Sequence, residues 1–518
     1  MHQRKMQHHR TSGVLLPVSS IPSPYGIGNL GKESYRFIDF LKDAGQCYWQ
    51  ILPIGPTGCG DSPYQSFSAF AANPYLIDPE QLVEKGLLKR AELASFPFGS
   101  DAQYVDYGAL FANRFSMLRL ATNRFPRDDA GFLKYQQGNK DWLEDYSLFM
   151  ALKEENGMVS FQQWPDKLRL RKPAALKEAS ERLADEIHFH KAAQYLFREQ
   201  WDALMKYAHQ NGVAIIGDLP IYVSPDSSDL WAHSNLFQVD KDRRPTFVSG
   251  CPPDAFTKEG QLWGNPLYRW EKHAETDFSW WMKRLSAAAK FYDVLRIDHF
   301  RGFAGYYSIP AGSKNAIHGR WEKGPGIDFV NTLKEKLPNL PLIAEDLGFL
   351  TDDVRELLAQ SGFPGMKVLQ FAFDSREESD YLPHNYPKNC VVYTGTHDNT
   401  TTADWFRTAP KADLEFARRY LNVSREADAV GAMIRAAESS VAETCVIPMQ
   451  DWLRLGGKAR INVPGTVGGN WRWRLLPGQL TPQLAEEMRQ MAELYGRRAL
   501  PKRKISAKKD DKVQKETV

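Results

Sequence analysis

Apolar residues in this chain fall into short, β-branched runs separated by stretches with helical spacing. Such runs, apolar throughout rather than alternating, read as buried strands of a parallel sheet. Eight of them occupy residues 13–19, 47–54, 213–223, 294–300, 342–347, 367–373, 391–396 and 445–449. After the first, Phe37, Ile38, Leu41 and Ala44 mark one face of a helix that Gly45 stops. Thr351 opens another, with Asp352 and Asp353 in its first turn and Leu357 and Leu358 on its inner face. Strand and helix alternating eight times predict an α/β fold, a closed (β/α)8 TIM barrel.

The spacing is uneven. Residues 1–73 supply the first part of the barrel. Residues 74–211 are too long for a loop and carry a helical stripe, Ala193, Leu196, Trp201, Leu204 and Ala208, ending before Gly212. A large, mostly helical insertion between the second and third strands is expected there. Residues 212–500 resume the barrel. Within them, residues 225–288 are rich in Pro, Gly and Trp and read as a lid loop. Residues 501–518 are Lys-rich, lack apolar periodicity and are expected to be disordered.

Composition narrows the classes. The 518 residues are 42% hydrophobic and 25% charged, ordinary for a globular chain. A net charge of +3 gives no reason to expect nucleic acid. No apolar run is long enough to span a membrane, and Met1-His2-Gln3-Arg4-Lys5 does not lead into a secretory leader. The five cysteines, Cys47, Cys59, Cys251, Cys390 and Cys445, are scattered and form no C-x-x-C pair. A disulfide framework or zinc site is therefore not expected, nor any metal or organic cofactor, and a cytoplasmic location is. Fourteen Trp residues make the chain rich in aromatics. They serve either a large core or the apolar faces of sugar rings.

Three of the apolar runs lead into acids: Leu295-Arg296-Ile297-Asp298-His299, Leu342-Ile343-Ala344-Glu345-Asp346 and Thr394-Gly395-Thr396-His397-Asp398-Asn399. Arg296 and Asp298 are two apart, so they leave one face of a strand, and the guanidinium can hold the carboxylate ionised. A structural ion pair is the plain alternative. Glu345 beside Asp346 in a partly apolar place would keep its proton, as a general acid must; it could also cap a helix. His397-Asp398 can hold two adjacent hydroxyls, or form a turn. Asp218 adds a fourth rim carboxylate, expected to pair with Arg296 or His397. The Gly-rich loop 55–64 lacks the Gly-Lys-Ser/Thr ending of a phosphate loop. It reads better as a sugar-contacting loop, with Tyr64 as a stacking platform. Three carboxylates converging on a barrel rim suit chemistry on a sugar acetal.

Long motifs support this reading. They include Pro24-Tyr25-Gly26-Ile27-Gly28, Gly60-Asp61-Ser62-Pro63-Tyr64-Gln65-Ser66, Gly217-Asp218-Leu219-Pro220-Ile221-Tyr222-Val223, Pro252-Pro253-Asp254, Gln261-Leu262-Trp263-Gly264-Asn265-Pro266 and Asn462-Val463-Pro464-Gly465-Thr466. By these the chain resembles the 4-α-glucanotransferases (amylomaltases, or disproportionating enzymes) of glycoside hydrolase family 77. The likeness runs from Ser12 to Arg474. It implies a retaining transferase acting on α-1,4-glucans and maltooligosaccharides, without a C-terminal β-sandwich. Asp298 would be the nucleophile, Glu345 the acid/base and Asp398 the transition-state stabiliser. Arg296, His299, His397 and Asp218 would line the subsite holding the attacked sugar. Ser62, Tyr64, Asp254, Gln261, Trp263, Asn265, Asp374 and Asn462 would contact the rest of the glucan. Cys59 stands where many relatives have Tyr, and Leu16-Pro17-Val18-Ser19-Ser20 departs from their His-Pro-Thr-Ser form. A hydrolase of similar fold and a non-catalytic glycan-binding protein are the competing readings. The second would need a lost carboxylate, and none is lost.

Overall fold

The computed structural model describes residues 10–253, 257–348, 350–376 and 378–497. In chain order the strands are β1 (Thr11–Leu15), β2 (Tyr48–Gln50), β3 (Ala214–Leu219), β4 (Phe247–Cys251), β5 (Gln261–Pro266), β6 (Val294–Ile297), β7 (Gly305–Pro310), β8 (Arg320–Lys323), β9 (Leu342–Ala344), β10 (Gly365–Val368), β11 (Cys390–Tyr393) and β12 (Thr444–Pro448). Eight pair in parallel in the order β10-β11-β12-β1-β2-β3-β6-β9. The gap between the two end strands is bridged by the Ala344 amide, which donates to the Pro364 carbonyl at 2.9 Å. The Met366 amide adds a bond to Asp346 Oδ1 at 2.6 Å. The result is the expected (β/α)8 barrel.

Each of the eight predicted runs overlaps a barrel strand; β1, β10, β11 and β12 begin before their runs, and every strand ends before its run does. Pro17 and Pro220 have no amide hydrogen to continue a ladder, so β1 and β3 stop short of them. The apolar residues beyond pack in the rim loops. Alternate side chains divide the core as a barrel requires. Leu15, Ile216, Ile343, Met366, Val368, Val391, Tyr393 and Val446 fill the interior. Val14, Trp49, Ile215, Leu295, Val392 and Ile447 pack in the core outside it. Gly217 is obligatory in β3: a Cβ there would lie 2.2 Å from the Tyr292 ring.

The helix after β1 spans Lys32–Asp43, buries Phe37, Ile38 and Leu41, and is followed by Gly45 at φ +66°. Residues 74–211 form helices including Tyr107–Arg124, Ala130–Glu155 and Ala184–Gln210. The last buries Gln194 and Gln200. Gln194 exchanges bonds with the backbone of Ala72 at 2.7 and 2.8 Å, and Gln200 does so with Asp78 at 2.7 and 3.2 Å. These amides satisfy a buried rim segment that no strand reaches.

The region 225–288 is not a simple loop. It holds β4, β5 and the helices Ser228–Ala232, Trp270–Ala274 and Ser279–Ala288. β4 and β5 join β7 and β8 in an antiparallel sheet of order β5-β4-β7-β8. Gly250, Gly264 and Pro266 argue against strands there, and the pairing that overrides them comes from β7, after Asp298 in the chain. The Lys-rich tail lies outside the described residues. Among those residues, no helix is long and apolar enough to cross a membrane.

Candidate active site

Three neighbouring barrel strands bring the acids together. Asp218 lies within β3, Asp298 one residue past β6 and Glu345 one past β9. The ladder continues beyond the strand ends, with Asp298 N donating to Leu219 O and Glu345 N to Ile297 O, each at 3.0 Å. Arg296 sits at the centre. Its Nη1 donates to both Asp218 oxygens at 2.6 and 2.7 Å and to Asp298 Oδ1 at 3.1 Å. Its Nη2 is 3.5 Å from Glu345 Oε2. Access is graded: the Asp218 side chain is fully buried, Glu345 is 14% exposed, Asp298 27% and Asp398 45%. Asp218 therefore anchors the guanidinium, while the other acids face the opening.

One cation facing three carboxylates fixes the electrostatics. Burial pushes Asp298 well above the ordinary carboxylate range; Arg296 opposes this, and Glu345 and Asp218 add to it. Burial also raises Glu345, against Arg296 and the His299 amide. The two therefore hold a shared proton beyond the pH at which isolated carboxyls lose theirs. Asp346 has another task. It accepts from the Met366 amide on the barrel seam, so the raised Glu345 owes its shift chiefly to burial rather than to the adjacent acid expected from sequence.

His299 adopts a left-handed conformation, φ 52°. That turn lets its amide donate to Glu345 Oε2 while its ring lies edge-on to Trp263, centroids 4.8 Å apart. Burial pushes the imidazole down to about 3, so it is neutral at physiological pH. Opposite, the Tyr64 hydroxyl donates to Asp218 Oδ2 at 2.7 Å and lies 2.9 Å from His397 Nε2. The two rings stack at 5.2 Å. Asp398 follows β11 on a turn and accepts from Asn462 Nδ2 at 2.6 Å.

Trp263 Nε1 donates to Gln261 Oε1 at 3.0 Å, and Asn265 Nδ2 to Val223 O at 2.9 Å. Ser62 Oγ accepts from the Tyr64 amide at 3.2 Å. Asp374 pairs with Arg376, Nε to Oδ1 at 2.8 Å, which drives its carboxyl down to about 2. Asp254 lies outside the described residues. Among these residues, no group of three or more His, Cys, Asp or Glu side chains is placed to hold a metal.

A family model described as 4-alpha-glucanotransferase matches residues 16–480. The chain belongs to the 4-alpha-glucanotransferase family. It is a glycosyl-transferring enzyme of (β/α)8 architecture. The 4-alpha-glucanotransferase of Thermus thermophilus is 48% identical over 500 residues, covering 94% of this chain and 99% of that relative. The Streptococcus pneumoniae serotype 4 enzyme of the same description is 48% identical over 492 residues, covering 94% and 97%. The solved amylomaltase of Streptococcus agalactiae, in complex with acarbose, superposes with a TM-score of 0.92 at 40% identity. That match covers 94% of this chain and all of that one.

Three side chains that the sequence did not single out brace the candidate site of this 4-alpha-glucanotransferase family member. Gln65 Nε2 donates to Asn265 Oδ1 at 3.3 Å and ties the β2 loop to β5. Arg460 Nη2 donates to Asp398 O at 2.6 Å, and its Nε to Asn462 O at 2.7 Å. Trp471 packs against Tyr64 and His397. Gln65 sits inside the motif Gly60–Ser66, and Trp471 lies within the stretch that the likeness covers. Arg460, two residues before Asn462, carries no signal of its own.

Proposed function

We propose that this enzyme transfers segments of α-1,4-glucan between maltooligosaccharides or amylose chains by a retaining double displacement. The observation that carries this is the sharing of one guanidinium by Asp298 and Glu345, two carboxyls that burial leaves with a common proton. Asp298 accepts from Arg296 and is the more exposed of the two, so it is the carboxylate that faces the sugar, and in this mechanism the common proton serves Glu345. Asp298 attacks the anomeric carbon while Glu345 gives its proton to the glycosidic oxygen. The C–O bond breaks, the leaving chain departs with a free 4-hydroxyl, and a glycosyl ester remains on Asp298. An acceptor's 4-hydroxyl then yields its proton to Glu345, and its oxygen displaces Asp298. Two inversions give retention, the outcome of carboxylates about 5–5.5 Å apart. Asp398, aimed by Asn462 and beside His397, takes the hydroxyls of the attacked ring. His299, Trp263, Gln261 and Asn265 line the approach of the acceptor, with Ser62, Tyr64 and Asp374 along the glucan.

The acarbose complex of the related amylomaltase supports glucan-like ligands here. A cytoplasmic location fits the buried thiols of Cys390 and Cys445. Maltotriose is the test. A transferase yields glucose and a ladder of longer chains, whereas a hydrolase yields shorter products alone. Asp298→Asn is expected to bind glucan and to lose several orders of magnitude in rate. Near-normal turnover by that variant overturns the mechanism.

A further inference from the structure

Trp471 stands in a backbone conformation that a bulky side chain rarely adopts, φ 63°. Two bonds hold it there. Its amide donates to Ile461 O at 2.8 Å, and its carbonyl accepts from the Tyr107 hydroxyl at 2.9 Å. Tyr107 begins the insertion helix Tyr107–Arg124. The Trp471 side of the bargain is visible in its ring, which lies 5.6 Å from Tyr64 and 6.0 Å from His397, centroid to centroid. Tyr64 and His397 stack on one another, so the three rings form one packed group, and the residue is 8% exposed.

The chain between Ile461 and Trp471 is a closed loop. Its base is the Trp471–Ile461 bond, and its inside is tied by Asn470, whose Oδ1 accepts from Val463 N at 3.1 Å and whose Nδ2 donates to Thr466 Oγ1 at 3.0 Å. The two ends of this loop reach the two halves of one site. Asn462 opens it and donates to Asp398. Trp471 closes it and packs on the rings that lead to Asp218 and His397. Side-chain strain alone would be relieved by a residue suited to left-handed backbone. Its retention with both bonds intact marks a place where geometry is held against local preference.

We infer that Trp471 is a positioning residue for the transfer reaction: it fixes the Tyr64–His397 stack and the loop that aims Asn462 at Asp398, and Tyr107 of the insertion clamps it in place. Trp471 touches none of the reacting atoms and acts through these neighbours. This rests on the proposed roles of Asp298, Glu345 and Asp398.

The test is steady-state disproportionation of maltotriose by Trp471→Asn, Trp471→Phe and Tyr107→Phe, with melting midpoints measured alongside. Asparagine tolerates left-handed backbone, so Trp471→Asn should still fold, at a midpoint lowered by the loss of the buried ring, and kcat is taken per folded molecule. Its kcat should fall about 10²-fold while KM changes little, as expected when reacting groups are slightly misplaced. Trp471→Phe keeps a ring and should recover most of kcat. Tyr107→Phe leaves all three rings and removes only the clamp. It should lower kcat with only a small fall in midpoint, and it decides the matter should the Asn variant not fold. A purely structural tryptophan would lower the midpoint and leave kcat per folded molecule unchanged. A Trp471→Asn enzyme within threefold of parental kcat overturns the inference, as does a Tyr107→Phe enzyme with parental kcat. A parent enzyme that makes no ladder from maltotriose defeats the proposed function. A parent that makes one beside a fully active Trp471→Asn defeats only the positioning role.

Discussion

Glu345 costs the folded protein stability at neutral pH, and that cost is measurable. Burial raises its carboxyl above the ordinary value near about 4.3 that it has in the unfolded chain. Below that ordinary value both states carry the proton and the group is neutral to stability. As pH climbs from there through the raised value, the unfolded chain releases its proton first, so the folded state loses ground. Glu345→Gln is never ionised and can still accept from the His299 amide. Its melting midpoint should exceed the parent's at pH 7, and the difference should vanish near pH 3. A parent that is the more stable at pH 7 would show that Arg296 outweighs burial and that Glu345 is no proton reservoir. At this scale the sequence was informative about which residues matter and less so about why. The i, i+2 spacing of Arg296 and Asp298 foretold their contact. The partner of Asp346 did not show, because it lies across the barrel seam in β10. Nor did the stacking of Tyr64 on His397, which joins loops 333 positions apart.

The β4–β5 hairpin is the element that departs most from expectation, and in the proposed mechanism it is the one best placed to govern the acceptor. Apolar runs betray a strand buried on both faces, so the barrel was legible from them. A short antiparallel strand containing glycine gives no such signal, and its partner β7 comes from beyond Asp298. The hairpin brings Trp263 edge-on to His299, whose amide holds Glu345, and Gln65 Nε2 reaches Trp263 O at 3.4 Å. In the proposed mechanism the ester on Asp298 can be met by water or by sugar, and each tenfold preference needs about 1.4 kcal/mol of differential stabilisation. One aromatic contact to the acceptor can supply about that much. Trp263→Ala should therefore raise the ratio of hydrolysis to transfer more than it lowers total bond cleavage, scored as reducing ends against ladder products. If both reactions fall together at a fixed ratio, the hairpin binds glucan in general and does not choose between acceptors. Phe256, the other apolar residue of the expected lid, lies outside the described residues.

At the scale of the molecule, the question is whether the insertion is a separate body or part of the barrel. One apolar core answers for unity: it runs from Val14, Trp49 and Leu295 of the barrel through Leu110, Phe149, Trp164 and Phe197 of the insertion. A buried cation reinforces it. Lys153, on the helix Ala130–Glu155, keeps 1% of its side chain exposed and donates to Asp226 Oδ2 at 2.5 Å. It also donates to Val159 O at 3.0 Å and lies 4.9 Å above the Phe67 ring. Phe67 follows β2 and Asp226 follows β3, so one ammonium group joins the insertion to two rim loops flanking the candidate site. Removing one partner of a buried pair costs about 3–5 kcal/mol. Asp226 retains 23% exposure, which lets water repay part of its lost partner and points to the lower end of that range. Lys153→Met should thus lower stability by roughly 3 kcal/mol in urea. With a shared core, tryptophan fluorescence and far-ultraviolet dichroism should still report one coincident transition. Two separated transitions, with activity surviving the first, would show that residues 74–211 melt alone and that the barrel holds its rim without them.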